Sequence, residues 1–251
     1  MKNYLIIGDV HADFDVFSNA VQFATDNDMH LVSVGDLIDN GTDGAKVIDV
    51  MLSLVKEGKA TFVKGNHEHK IIRWCNGHDV TIGPPNQVTI DQFNMPGGDV
   101  FKSNFIDLVE NHGHDYLRIE NKNYIAHAGM HKDFWQADLT NNKITKDMIN
   151  AMYFGQADHK TTYEWKGQTY PKRIYNWVDF VPAGVRLIVG HDPAPLNEEP
   201  NFDSFQHEPK VFKNDNGGEI IFLDCGAGKG GKLFGVVLNS STNETETFVE
   251  F

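Results

Sequence analysis

Apolar positions in the first third of the chain follow two alternating patterns. Short continuous runs, Tyr4-Leu5-Ile6-Ile7 and Leu31-Val32-Ser33-Val34, predict buried strands over 4–8 and 31–35, and the more mixed Ala60-Thr61-Phe62-Val63-Lys64 predicts a third over 60–64. Between these runs the apolar residues recur every three or four positions. Phe14, Phe17, Ala20, Val21 and Ala24 mark a helix near 13–28. Val47, Val50, Met51, Leu54 and Val55 mark another near 42–58, ending at Gly58, and a further helix starts near Glu68. This β-α-β-α-β-α order predicts a mostly parallel sheet with right-handed crossovers.

The pattern then loosens. Residues 76–99 carry Gly77, Gly83-Pro84-Pro85 and Pro96-Gly97-Gly98 with few periodic apolar positions, which reads as a long surface loop. A helix near 99–111 precedes strands over 115–120 and 123–127, joined at Asn121-Lys122. From 130 to 180 the chain is rich in aromatics (Phe134, Trp135, Tyr153, Phe154, Trp165, Tyr175, Trp177) and is expected to be helical in pieces, its rings serving as core or as the wall of a substrate cleft. Strands return over 185–190, 219–224, 233–238 and 244–250, with a Pro- and acid-rich loop over 192–210 after the first. No internal repeat is visible. The expectation is one domain over 1–251, with insertions near 76–111 and 130–180.

Composition narrows the function classes. A chain of 251 residues can bury one large core or two small ones, and no apolar stretch approaches the roughly 20 residues that span a bilayer. Met1 leads straight into a strand with no charged-then-apolar leader, so a cytoplasmic protein is expected. The sequons at Asn239 and Asn243 then read as polar turns. Cys75 and Cys225 form no CxxC pair and are expected to be reduced thiols. With 22 Lys and Arg against 35 Asp and Glu, the formal charge of −13 argues against binding extended nucleic acid. It does not argue against a phosphate approaching a patch made positive by bound cations.

The chemistry lies at the strand ends. Gly8-Asp9-Val10-His11, Gly35-Asp36-Leu37-Ile38-Asp39, Gly65-Asn66-His67-Glu68, His127-Ala128-Gly129 and Gly190-His191-Asp192 each follow a predicted strand. Open α/β sheets place ligands at such positions. Asp, His and Asn side chains pack a core poorly but hold divalent cations well. Asp9 and His11, two residues apart, are expected on one side of the strand end. Asp36, on the neighbouring strand, could reach the same cation and bridge to a second, whose site Asn66, His127 and His191 could complete. Any one of these residues could be a turn cap or a hydrogen-bonded loop histidine; the six together point to two ions. Two cations about 3.5–4 Å apart would activate a water, neutralise phosphate oxygens and align the nucleophile. His67 is the natural general acid for the departing alkoxide, with Asp39 orienting it. The competing role for Asp39 is a helix N-cap before Asn40-Gly41-Thr42.

This order of motifs resembles the calcineurin-like metallophosphoesterases over nearly the whole chain, and within them the phosphoprotein phosphatase branch. The resemblance implies an α/β fold (α+β in some schemes), a four-layer β-sandwich flanked by helices with a dinuclear site at one edge. Asp9, His11 and Asp36 would serve one metal, Asp36, Asn66, His127 and His191 the other, and His67 with Asp39 would form the acid pair. Manganese is the first expectation, with iron, zinc or nickel compatible. Two further stretches resemble the phosphatase module of bacterial and phage polynucleotide kinase-phosphatases. One is Arg173-Ile174-Tyr175-Asn176-Trp177-Val178-Asp179 ahead of Gly190-His191. The other is Asp224-Cys225-Gly226 followed by Gly230-Gly231-Lys232-Leu233, and it makes Asp224 a further site candidate.

One position departs from the family. Its second motif usually reads GDxxDRG, with the Arg gripping the substrate phosphate, and here that position is Asn40. An amide cannot supply a charged, bidentate fork. Arg173 is the first candidate to replace it and Arg73 the second. The stretch Gly226-Ala227-Gly228-Lys229-Gly230-Gly231-Lys232-Leu233 nearly spells a P-loop. However, Leu233 replaces the metal-binding hydroxyl and a strand rather than a helix follows, so it reads as a turn.

The expected activity is dinuclear metal-dependent hydrolysis of phosphate esters by direct attack of a hydroxide held between the ions. Phosphomonoesters are favoured over diesters. A phosphoprotein, a terminal or 2′,3′-cyclic phosphate on RNA, a nucleotide and a dinucleoside polyphosphate of the Ap4A type remain as alternative substrates. A non-catalytic scaffold of the same fold would show gaps among the ligands or at the acid histidine, and this chain has none.

Overall fold

The computed structural model describes residues 3–137, 143–165, 168–196, 206–239 and 245–251. β1 (Asn3–Ile7) is central to a six-stranded sheet of order β13 (Thr245–Glu250), β12 (Phe234–Leu238), β1, β2 (Met29–Ser33), β3 (Ala60–Val63), β4 (Gly113–His114). β1 to β4 run parallel, as the alternation requires, while β12 and β13 return antiparallel, so the sheet is mixed. Its apolar runs are continuous because both faces are covered. Leu5 and Ile7 pack on the helix side with residues of α1 (Phe14–Asp26), α2 (Gly44–Lys56) and α3 (Asn66–Cys75), whereas Ile6 faces the opposite way.

The second sheet has the order β10 (Lys210–Lys213), β11 (Glu219–Phe222), β9 (Arg186–Val189), β6 (Asn123–Ala126), β5 (Tyr116–Ile119). Its three inner strands are parallel and its two edges antiparallel. Ile6, Val32, Val34 and Val236 of the first sheet meet Ile125, Ile188 and Ile221 of the second in one core. The outer face of the second sheet is covered by α6 (Lys146–Phe154) and by single 3₁₀ turns at Lys132–Gln136 and Asn176–Phe180, through Met152, Phe134 and Trp177. The layers are therefore helix, sheet, sheet, helix, as expected. No helix among the described residues is long and apolar enough to cross a membrane.

Two expectations are corrected. Residues 76–99 are not a loop throughout: α4 (Pro84–Phe93) forms there, and α5 (Gly98–Asp107) follows, continuing as a π turn over Leu108–His112. Pro84 and Pro85 occupy the first turn of α4, where proline is favoured, after an extended Gly83. The buried face of α4 is Asn86, Thr89, Ile90 and Phe93, half of it polar, so it leaves little hydrophobic period to read. The stretch 130–180 contains one α-helix among its described residues and then a separate antiparallel hairpin, β7 (Gln156–Trp165) and β8 (Gln168–Ile174). The loop expected over 192–210 ends in β10, and residues 197–205, like the Asn243 sequon, lie outside the described residues.

β1, β2 and β3 from one sheet and β6, β9 and β11 from the other are each followed by one of the polar segments singled out above. Parallel pairing within each sheet sends those segments to a common edge.

Candidate metal centre

Each strand ends in a tight turn that re-aims a polar side chain. Past Ile7 the amides of Val10 and His11 donate to Asp36 O at 3.1 and 2.9 Å, and His11 adopts a left-handed φ of 48°. Asp9 and His11 therefore reach the same side through a turn, not through the strand pleat expected from their spacing. Asp36, Asp39, Asn40 and His191 also have positive φ, from 52° to 71°. Such conformations cost of order 1–2 kcal/mol for non-glycine residues and cluster where side chains are held for function. Two glycines make the close approach possible. A Cβ on Gly65 would lie 2.1 Å from Asp36 Oδ1, and one on Gly190 would lie 2.0 Å from Asp9 Oδ1.

Four lone-pair-bearing atoms converge on one side. His127 Nδ1–H donates to Val34 O at 3.0 Å, so in the neutral ring Nε2 carries the lone pair. That Nε2 lies 2.9 Å from Asn66 Oδ1, 3.2 Å from His191 Nδ1 and 3.4 Å from Asp36 Oδ1. Asn66 Oδ1 is in turn 2.8 Å from His191 Nδ1. Asp36, His127 and His191 bring their ligand atoms within 4.8 Å of one another, close enough to hold one cation. On the other side His11 Nε2 is buried with no hydrogen-bond partner, 3.7 Å from Asp36 Oδ2 and 3.9 Å from Asp9 Oδ2. The two oxygens of Asp36 thus face two donor clusters, which suits a bridging carboxylate. The donor set, imidazole and carboxylate with one amide oxygen, fits first-row divalent ions. Asp9 is looser than the rest: both its oxygens accept from His191 N at 3.0 Å.

The charges reinforce this reading. Burial pushes His11 well below the usual imidazole range, aided by Lys229 and His67. Burial does the same to His191, aided by Arg173 and His127, so both present neutral nitrogen. Burial pushes Asp36 up, but His127 and His67, when protonated, outweigh it and hold the carboxylate well below its ordinary value. Asp9 is raised well above its own by burial, then by the neighbouring carboxylates of Asp224 and Asp36.

His67 lies beside this cluster, its Nε2 3.7 Å from Asp36 Oδ2 and its Nδ1 donating to Asp39 Oδ2 at 2.6 Å. Its side chain is 18 % exposed where that of His11 is fully buried, so it faces the open side. Burial lowers its proton affinity, but Asp36 and Asp39 overcome that and the net shift is upward.

Asp39 itself is fully buried and makes no helix cap. The hydroxyl of Thr89 and the amide of Asn86, both on α4, donate to its two oxygens. Thr89 Oγ1 also accepts from Asp39 N at 3.2 Å, while Asn86 Oδ1 accepts from Lys70 Nζ at 3.1 Å. The sequence reading assigned no role to Asn86 or Thr89 because it made their segment a loop. Nor did it give a role to Glu68. This carboxylate is fully buried and accepts from the amides of Asp36 (2.9 Å), Leu37 (2.7 Å) and Gly65 (2.9 Å), tying the second motif to the third.

The phosphate-binding candidates separate. Asn40 turns its amide to Nδ1 of His11, a candidate ligand, at 3.0 Å. Arg73 is exposed in the last turn of α3, about 9 Å along the axis from His67 at 1.5 Å per residue, so it is not brought to the site. Arg173 is near: it pairs with Asp192 at 3.5 Å and lines a cavity together with His191. Asp224 is fully buried beside Asp9, with Oδ2 unpartnered. Lys229 was missed. It lies in the glycine-rich turn set aside as a false P-loop, and that turn packs on the metal cluster: a Cβ on Gly228 would be 2.5 Å from the His11 backbone oxygen. Half-buried, its charge acts on Asp9, His11, His67 and His191 together, and its ammonium has no ion pair or hydrogen bond among the described residues.

A model of the calcineurin-like phosphoesterase family matches residues 2–222. Among curated relatives, a bis(5′-nucleosyl)-tetraphosphatase PrpE (asymmetrical) of Anoxybacillus flavithermus is 27 % identical over 218 residues, covering 80 % of this chain and 84 % of that protein. The protein of the same name from Bacillus cereus is 25 % identical over 247 residues, with 93 % and 89 % covered. Among solved structures, one assigned provisionally as a diadenosine tetraphosphatase superposes with a TM-score of 0.61 at 18 % identity, covering 100 % of this chain and 93 % of that one. A protein serine/threonine phosphatase of Saccharomyces cerevisiae gives 0.57 at 13 % identity, with 100 % and 79 % covered. At these identities the structural matches speak to the fold alone.

Proposed function

This chain belongs to the calcineurin-like phosphoesterase family, and from that premise we propose that it binds two divalent cations and hydrolyses phosphate esters and anhydrides between them. One observation carries the reading: the convergence of His127 Nε2, Asn66 Oδ1, His191 Nδ1 and Asp36 Oδ1, a donor set close enough to share one cation. In the proposal Asp9, His11 and Asp36 hold one ion, and Asp36, Asn66, His127 and His191 the other. When bound, the ions supply Lewis acidity and an activated water.

The protein's own groups do the rest. Asp39 fixes the His67 imidazole by taking Nδ1–H, so that Nε2 can give its proton to the leaving oxygen. The carboxylates Asp36 and Asp39 favour the protonated imidazole that this role requires. Lys229 on the His11 side and Arg173 on the His191 side offer positive charge beside the centre that can compensate for the family's missing Arg.

The phosphomonoester reading follows from the acid pair, since an alkoxide leaving group needs a proton. A second reading is favoured by the tetraphosphatase relatives, which match at 84–89 % of their own length. A dinucleoside polyphosphate would leave as a weakly basic phosphate and need the acid less. One comparison decides between them: turnover of an alkyl phosphate, p-nitrophenyl phosphate and diadenosine tetraphosphate with Mn²⁺, before and after His67→Ala. Loss on the alkyl ester of about 10²- to 10⁴-fold, against a much smaller loss on the other two, supports the proton donor. Equal losses on all three would refute that role.

A further inference from the structure

Next to the metal cluster, the β7–β8 hairpin and the end of α6 enclose a cavity of about 510 Å³. His191 forms part of its wall: Nδ1 of this ring faces Asn66 and His127, while the ring also borders the cavity, so the two spaces share one side chain. Arg173 lines the same cavity, paired with Asp192 at 3.5 Å. Farther out the wall is aromatic. Tyr163 and Tyr170 are cross-strand partners with near-parallel rings, 6.2 Å apart at 15°. Phe154, at the end of α6, is 45 % exposed, unusual for a ring this size. Asn150 adds one amide, able to donate and accept at a base edge.

We infer that this cavity is a nucleobase subsite: it receives the base of a nucleotide substrate, stacked on Tyr163, Tyr170 and Phe154, while Arg173 steers the attached phosphates past His191 into the centre. This rests on the phosphoesterase reading and names its substrate class as nucleoside polyphosphates. The volume lies within the range of ligand pockets and exceeds what a single phenyl ring would occupy. A wall of π faces with one amide suits a flat heterocycle and tolerates any base, because every base has a π face. The order of the groups, rings first, then a guanidinium, then the donor cluster, matches the order base, phosphates, scissile bond. It also suits an acidic protein, since the only positive charge needed is local.

The test compares diadenosine tetraphosphate with inorganic tripolyphosphate, which has the same anhydride and no base, in the Mn²⁺-loaded full chain. The ratio of kcat/KM for the two should fall about tenfold or more in Phe154→Ala and in the Tyr163→Leu/Tyr170→Leu pair. Phe154→Ala changes an exposed ring, so a folded protein is available even if the hairpin pair is damaged. Independently of turnover, saturation-transfer NMR of adenosine with EDTA-treated protein should show contact at the adenine protons, weakened in the same variants. A ratio within twofold of wild type in folded Phe154→Ala, or no transfer to adenine in the wild type, would overturn the subsite. If the wild type cleaves p-nitrophenyl phosphate but neither anhydride, the nucleoside polyphosphate class is overturned and the phosphoesterase reading stands; if it cleaves none of the three, the phosphoesterase reading fails, and the adenosine signal still decides whether the cavity holds a base.

Discussion

Thr89→Val isolates the part of the site that the amino-acid pattern concealed. The two side chains are nearly isosteric, so the substitution removes a hydroxyl without opening a cavity. That hydroxyl donates to Asp39 Oδ1 and accepts from Asp39 N at 3.2 Å, both in a fully buried setting. Losing a hydrogen bond to a charged acceptor costs about 1.5–3 kcal/mol, and leaving a buried amide unpaired adds on the order of 1 kcal/mol. Asn86 and His67 still hold the other oxygen, and the new methyl recovers several tenths by burial. The net expectation is a loss of about 2–4 kcal/mol, a large share of the roughly 5–15 kcal/mol that domains possess. Urea unfolding of EDTA-treated protein measures it without linkage to bound metal, and a shifted midpoint at constant slope is the expected form. In an Asp39→Asn background the same substitution should cost at least about 1 kcal/mol less, because the charge it served is gone. The loss should also reach the acid. With Asp39 less constrained, alkyl phosphate turnover should drop by about tenfold relative to p-nitrophenyl phosphate. A Thr89→Val protein within about 0.5 kcal/mol of wild type would show that Asp39 does not depend on the Thr89 hydroxyl. An unchanged alkyl-to-aryl ratio would show that its dependence is not transmitted to His67.

Two other outcomes are expected. Lys229→Met should weaken substrate capture, raising KM for a phosphomonoester by about tenfold while leaving the metal content measured by atomic emission at its wild-type value; an unaltered KM would remove Lys229 from phosphate binding. Cys225 is pushed up to about 12, first by burial and then by Asp224. A thiol raised this far is thiolate in only about one molecule in ten thousand at pH 8, so native protein should release at most one equivalent of thionitrobenzoate, from Cys75, and two after guanidinium unfolding. Rapid reaction of both thiols in the folded protein would contradict that burial.

The strand-end residues were legible in the chain because their chemistry is local. Asp9, His11, Asp36, Asn66, His127 and His191 each follow an apolar run within a few positions, and parallel strands deliver such positions to one edge. His67 and Asp39 were legible for the same reason, being neighbours of ligand positions in their own motifs. Arg73 failed the same test: it looked near His67 in sequence, but a helix carries it about 9 Å along its axis and into solvent.

The amino-acid sequence alone thus determined the family of fold, the alternation of strands and helices in the first third, and the set of side chains able to hold cations. Tertiary structure decided how those side chains are supported and what surrounds them. Thr89 and Asn86 meet Asp39 across gaps of 50 and 47 residues, on a helix whose inner face is half polar and whose prolines resembled loop residues. Lys229 reaches the centre because a glycine turn lies against His11, and the aromatic cavity exists because a hairpin, not helical segments, follows α6. Residue type and periodicity report what a segment can do by itself. Which unpaired donor, cation or ring ends up beside it depends on contacts distant in sequence, and those are set only when the two sheets and their covering helices close on a common core.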